Sequence, residues 1–144
     1  IMIKDVIIRK INSNKDNRGF FREIMKVTDS YTNVKFKQIS HSKVHKSIKK
    51  GWHVHKKQYQ WNYLLKGKIQ VYLLDLRKKS KTYKEQNKFI VNEKEPLIYF
   101  FPPHVAHGYV ALGKDNHIIY GTSGVFSKLE EYKLPFKNKE TLID

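Results

Sequence analysis

The sequence predicts an all-β domain, a sandwich or barrel of short strands, and three observations carry that expectation. Short runs of alternating apolar and polar residues recur along the whole 144-residue chain. Turn signals separate them at intervals of about eight to twelve residues, and helical periodicity is nearly absent.

The elements follow in order. Val6-Ile7-Ile8 sits in the first run, and residues 20–27 and 34–40 make the next two. In the latter, Val34, Phe36 and Gln38 alternate with Lys35 and Lys37, which sends successive side chains to opposite faces of a strand. Residues 59–65 and 69–76 flank a Lys66-Gly67 turn. Ile69, Val71 and Leu73 alternate with Gln70, Tyr72 and Leu74, so the pair reads as a hairpin. Later strands are expected at 88–91, 97–101, 108–112 and 118–122, with turns at Asp16-Asn17, Asn92-Glu93 and Gly113-Lys114-Asp115-Asn116. A weak helical pattern covers 127–134, and the Lys/Ser-rich stretch holding His41 and His45 reads as a solvated loop. With no repeat or linker, residues 1–144 are expected to form one domain.

Composition narrows the function. Apolar residues make up 40% and aromatics 13%, enough for a packed core and too much for a disordered chain. No run approaches the roughly 18 apolar residues of a membrane span, and the charges at Lys4, Asp5, Arg9 and Lys10 do not suit a signal peptide. There is no cysteine, so disulfides, thiolate metal sites and thiol nucleophiles are excluded. These features fit a cytoplasmic protein with no membrane partner. The net charge is +16, yet only Arg9, Arg18, Arg22 and Arg77 among the 29 basic residues are arginines. Lysines spread along the chain lack the bidentate fork that reads bases, which argues against nucleic acid as the main partner. A basic surface still gathers a small anionic substrate.

The chemistry is concentrated in histidines. In Gly51-Trp52-His53-Val54-His55 the two imidazoles are at i and i+2 and share one face of a strand. Phe101-Pro102-Pro103-His104-Val105-Ala106-His107-Gly108 opens another strand that can bring His107 to the same cavity. The spacings His55 to Gln60, Gln60 to Gly67 and Pro102 to His107 fit the two-part cupin pattern, with Gln60 where a metal-binding cupin has Glu and His104 where the turn has Gly. Three readings stay open at this point. The histidines can be hydrogen-bonded core residues, or His53, His55 and His107 can bind a metal with Gln60 as a poor fourth ligand. In the third, His53 acts without metal as a base near neutral pH. A non-catalytic module for anionic sugars is the further alternative suggested by the charge. Trp52, Trp61, Tyr63, Tyr72 and Tyr99 read as core or interface packing.

The order of six motifs bears on that choice. Asp16-Asn17-Arg18-Gly19-Phe20-Phe21-Arg22-Glu23 precedes Phe36-Lys37-Gln38-Ile39-Ser40-His41-Ser42 and Lys50-Gly51-Trp52-His53. Leu74-Asp75-Leu76-Arg77 with Ser80-Lys81-Thr82-Tyr83, then residues 101–109, then Tyr120-Gly121-Thr122 complete the run. From about residue 4 to residue 126 this series resembles the dTDP-4-dehydrorhamnose 3,5-epimerase family. The resemblance implies a cupin jelly-roll β-barrel, a homodimer, and no metal or organic cofactor. It also implies inversion of carbons flanking the 4-keto group of a nucleotide-linked 6-deoxyhexose, in deoxysugar and surface polysaccharide synthesis.

By this resemblance His53 is the base. Arg18, Glu23 and Gln38 match positions that contact nucleotide or sugar, Phe20 can stack on the base, and His107 lines the sugar pocket. Lys50 replaces an Arg but keeps a cation for the diphosphate, and Gln60 stands where the family has Lys. Phe126 occupies the place of the tyrosine that returns the proton, and the family's Asp partner of the base belongs to a further C-terminal stretch. Asp75 is expected either to orient His53 or its neighbour, or to pair with Arg77; Tyr109, Tyr120 and Tyr132 are unranked stand-ins for the missing acid. The His53–His55 pair is similar to that of the short dTDP-sugar 3,4-ketoisomerases, in which one or two histidines carry a proton through an enediol.

Overall fold

The alternation read in the sequence becomes two antiparallel sheets in a computed structural model, which describes residues 1–26, 29 and 35–135. The strands are β1 (Ile7–Lys10), β2 (Asn14–Asp16), β3 (Gly19–Phe21), β4 (Gln38–His45), β5 (Lys49–His55) and β6 (Gln60–Lys66). They continue with β7 (Lys68–Asp75), β8 (Gln86–Asn92), β9 (Leu97–Phe101), β10 (Val105–Ala111), β11 (Asp115–Thr122) and β12 (Glu131–Lys133). One sheet has the order β1-β9-β6-β11-β4, the other β12-β5-β10-β7-β8, and β2-β3 is a separate hairpin. The architecture is an all-β, jelly-roll-like pair of sheets with no helix among the described residues.

Strand β7 shows how the pattern builds the core. Ile69, Val71 and Leu73 face the space between the sheets and meet Leu64, Val91, Phe101, Val105 and Ile118. Each such side chain contributes about 1.5–3 kcal/mol on burial. The alternate residues Tyr72 and Leu74 pack on the opposite face with Trp52, Val54 and Ala106. A third cluster, Trp61, Tyr63, Ile98 and Phe100, is covered by Ile24 and Met25. All five aromatics expected to be packing residues are buried.

One end of the sandwich is closed by Asn116. Its side-chain oxygen accepts from the backbone N–H of Lys68 and Gly113, and its amide donates to the carbonyls of Val44 and Gly113. Gly67, at φ +99°, lies so close that a Cβ there would meet the Asn116 oxygen at 2.4 Å, so the turn requires glycine.

Several expectations need correction. The 127–134 stretch is a turn followed by β12, because the open edge of β5 captures it: Leu134 and Trp52 exchange backbone hydrogen bonds of 3.0 and 3.2 Å. His41 and His45 lie on β4, paired along β11, and not in a loop. The strand expected at 20–27 is only the short β3, and Ile24 and Met25 leave it to cover Tyr63 and Ile98; Val27 is outside the described residues. Val34 is also outside them, and β4 starts later than expected, with Phe36 packed edge-on against Trp61 at 5.9 Å.

Candidate active site

The end of the sandwich away from Asn116 is open. Between the sheets lies a cavity of about 530 Å³, a volume suited to a small-molecule ligand. One wall comes from the second sheet: His53 and His55 on β5, His107 and Tyr109 on β10, and Glu131 and Lys133 on β12. The first sheet supplies Gln38 and Ser42 on β4, Gln60 and Asn62 on β6, and Ile118, Tyr120 and Thr122 on β11.

Strand register brings the histidines together. His53 and His55 share a face of β5, and His107 on β10 pairs directly with His53. The His107 ring stacks 5.8 Å from His53 and 5.2 Å from His55, and rests 4.4 Å from the Phe101 ring. Burial, followed by the neighbouring His55 and His53, holds the His107 pKa well below its ordinary value, so this ring stays neutral at pH 7.

His53 has the arrangement a base requires. Its Nδ1 is hydrogen-bonded to the Glu131 carboxylate. A carboxylate only accepts, so the Nδ1 proton points at Glu131 and Nε2 keeps its lone pair. The hydrogen bond from His53 holds the Glu131 pKa below its ordinary value against the opposing effect of burial, so the partner remains an anion. β12 delivers this group: Glu131 pairs with His55 in register, and its side chain reaches the His53 ring.

His55 is fixed by a different chain of bonds. The Asn62 amide donates to the Tyr99 carbonyl at 3.3 Å, so its oxygen is left to accept from the Gln60 amide at 2.7 Å. The Gln60 oxygen then accepts from His55 Nε2 at 2.8 Å. Anchored on a backbone carbonyl, this chain leaves His55 Nδ1 as a lone pair. Both His55 Nδ1 and His107 Nδ1 are buried without a hydrogen-bond partner, which suits groups that wait for a bound molecule.

Of the residues singled out in the sequence, His53, His55, His107, Gln38, Lys50 and Gln60 all line this cavity. Gln60 does so as the clamp on His55. Asp75 does not belong to the site. It ends β7 opposite Val105, and its carboxylate is saturated by Arg77, Ser80 and Thr82, so the pairing with Arg77 is the alternative that holds. Glu131 is instead the acid that orients His53. The helical pattern over 127–134 hid it, and no local motif marks a residue that acts on a partner 78 positions earlier.

Arg18, Phe20 and Glu23 also lie outside the cavity of their own chain. Arg18 pairs with Asp16, Phe20 sits under the Arg22 guanidinium at 3.9 Å, and Glu23 pairs with Lys26 at 3.6 Å. Among the described residues, no group of three His, Asp or Glu side chains is placed to hold a metal ion.

Comparison with known proteins shows what the chain as a whole is similar to. The family model described as dTDP-4-dehydrorhamnose 3,5-epimerase matches residues 1–144. The Bacillus subtilis spore coat polysaccharide biosynthesis protein SpsL is 33% identical over 141 residues, 96% of this chain and 93% of that protein. A dTDP-4-dehydrorhamnose 3,5-epimerase of Shigella flexneri is 28% identical, covering 99% of this chain and 82% of its own. The solved structure of dTDP-6-deoxy-D-glucose-3,5-epimerase from Legionella pneumophila, in complex with dTDP-4-keto-L-rhamnose, superposes with a TM-score of 0.92 at 21% identity. That superposition covers 100% of this chain and 80% of the other.

Proposed function

The chain belongs to the dTDP-4-dehydrorhamnose 3,5-epimerase family, and from that membership we propose that it moves a proton at a carbon flanking the keto group of a dTDP-4-keto-6-deoxyhexose. His53 Nε2 removes the proton, whose acidity the adjacent carbonyl supplies, and Glu131 stabilises the imidazolium that forms. The single observation carrying this reading is the Glu131-backed His53 on the wall of a hexose-sized cavity. Lys50, Lys128 and Lys133 also line it, and they offer cations to a diphosphate. Likeness to SpsL favours surface polysaccharide synthesis as the setting.

Incubation with dTDP-4-keto-6-deoxyglucose in D₂O tests the reaction. Proton NMR should show deuterium entering at C3 or C5. Absence of exchange with every nucleotide-linked 4-keto sugar tried would remove the proposal.

The reading extends to a homodimer. Phe20 and Phe21 on β3 are 59% and 61% exposed, and Ile39 on the outer face of β4 is 67% exposed. A second copy would cover these apolar groups and place Arg18, Phe20 and Glu23 near the nucleotide of the partner. Equilibrium sedimentation should give twice the chain mass; a single-chain mass at assay concentration would refute the dimer.

A further inference from the structure

We propose that His41 and His117 form a two-histidine chelate for a divalent transition-metal ion, Cu²⁺ above all, on the outer face of the first sheet. The inference is independent of the proton-transfer reading, because neither residue lines the cavity.

Strand register builds the pair. β4 and β11 run antiparallel, with His41 opposite Ile119 and His117 opposite Lys43. Gln38 and Ser42 of β4 face the cavity, as do Ile118, Tyr120 and Thr122 of β11. Alternation therefore turns His41 and His117 outward, where they are diagonal neighbours across the two strands. His41 Nε2 lies 2.8 Å from His117 Nδ1, with the ring centroids 5.0 Å apart and the planes inclined by 39°. A hydrogen bond between exposed rings adds little to the fold, because water competes for both nitrogens.

The separation matches two adjacent ligands of one metal ion. With metal–nitrogen bonds of about 2.0–2.1 Å, nitrogens at a right angle are about 2.9 Å apart, and at the tetrahedral angle about 3.3 Å. The shorter spacing belongs to square-planar or tetragonal geometry, and Cu²⁺ both prefers that geometry and stands highest in the affinity order of first-row divalent ions. In the hydrogen bond one ring lends its proton to the other. On chelation that ring carries its proton on its opposite nitrogen, and both rings turn until their lone pairs converge, with no net proton released. His41 is exposed, so solvent can carry the exchange.

The surroundings suit an open site. His45 and Asp115 lie on the same face, with His45 Nδ1 3.6 Å from the Asp115 carboxylate. That carboxylate offsets the charge of Lys43, which stands opposite His117. A closed structural centre needs four protein ligands, whereas this pair leaves positions for water and holds an exchangeable ion. By binding both strands, the ion ties the edge strand β4 to β11.

Titration of the tag-free protein with CuCl₂ at pH 7.5 tests the site, followed by calorimetry and electron paramagnetic resonance. The tightest site should take one ion per chain and show hyperfine structure from two imidazole nitrogens. Acidification should release the ion, because the ligands must be unprotonated. His41→Gln and His117→Gln should each weaken binding by about tenfold or more, and His53→Ala should leave it unchanged. Both glutamine variants should keep the wild-type urea midpoint, as surface substitutions do, which separates lost binding from lost folding. The assignment is overturned if both variants bind Cu²⁺ as the wild type does, or if His53→Ala abolishes binding instead. Saturation at half an ion per chain would also overturn it, because the ion would then lie between two copies.

Discussion

Replacing His53 with alanine should lower both deuterium exchange and product formation by about 10²- to 10⁴-fold, the range for removal of a positioned general base. Binding of dTDP should change little, because the ring acts on the hexose and not on the nucleotide. Glu131→Gln should give a smaller loss in kcat, since His53 remains but its tautomer is no longer imposed by an anion. The amide can present either an N–H or a carbonyl to Nδ1, and with the N–H presented, the imidazole proton sits on Nε2, where the lone pair is needed. Glu131→Asp keeps the anion and should recover part of the rate. If His53→Ala exchanges deuterium as the wild type does, the base has been assigned to the wrong residue. An unaltered kcat in Glu131→Gln would show that the carboxylate does not orient the ring.

What could be read from the sequence was the information held in local period and spacing. Alternation at 69–76 fixed both the strand and the face turned to the core. The i, i+2 spacing of His53 and His55, and the proline-led turn before His107, placed three imidazoles in one cavity. Long-range partners were not legible in this way. Asp75 and Glu131 are both acids near aromatic and basic neighbours in the chain, and only the tertiary fold shows that one faces Arg77 and the other His53. The segment 127–134 is short and amphipathic enough to read as a helix. It becomes an edge strand because β5 offers unpaired backbone groups, and those hydrogen bonds outweigh weak intrinsic propensity.

The same contrast predicts that Asp75 matters for stability and not for turnover. Its side chain is wholly buried. Its oxygens accept from the Arg77 backbone at 3.0 Å, the Arg77 guanidinium at 2.9 and 3.1 Å, and the hydroxyls of Ser80 and Thr82 at 2.7 Å each. Asp75→Ala leaves those donors without their acceptor and the arginine without its principal counter-charge. Urea unfolding at pH 7 should show a loss of about 3–5 kcal/mol, as when a buried pair loses one member. Burial raises the Asp75 pKa, but the hydrogen bonds from Arg77, Thr82 and Ser80 outweigh it and bring the carboxyl down to about 2. A depressed native value means that the group stabilises the fold above its unfolded pKa of about 3.9, and that this contribution disappears as the pH falls from about 4 towards 2. The difference between wild type and Asp75→Ala should therefore be constant near neutrality and narrow across that acid window. Since Asp75 does not line the cavity, the folded variant should keep kcat within about threefold. A variant with undiminished stability and a lost kcat would return Asp75 to the catalytic machinery.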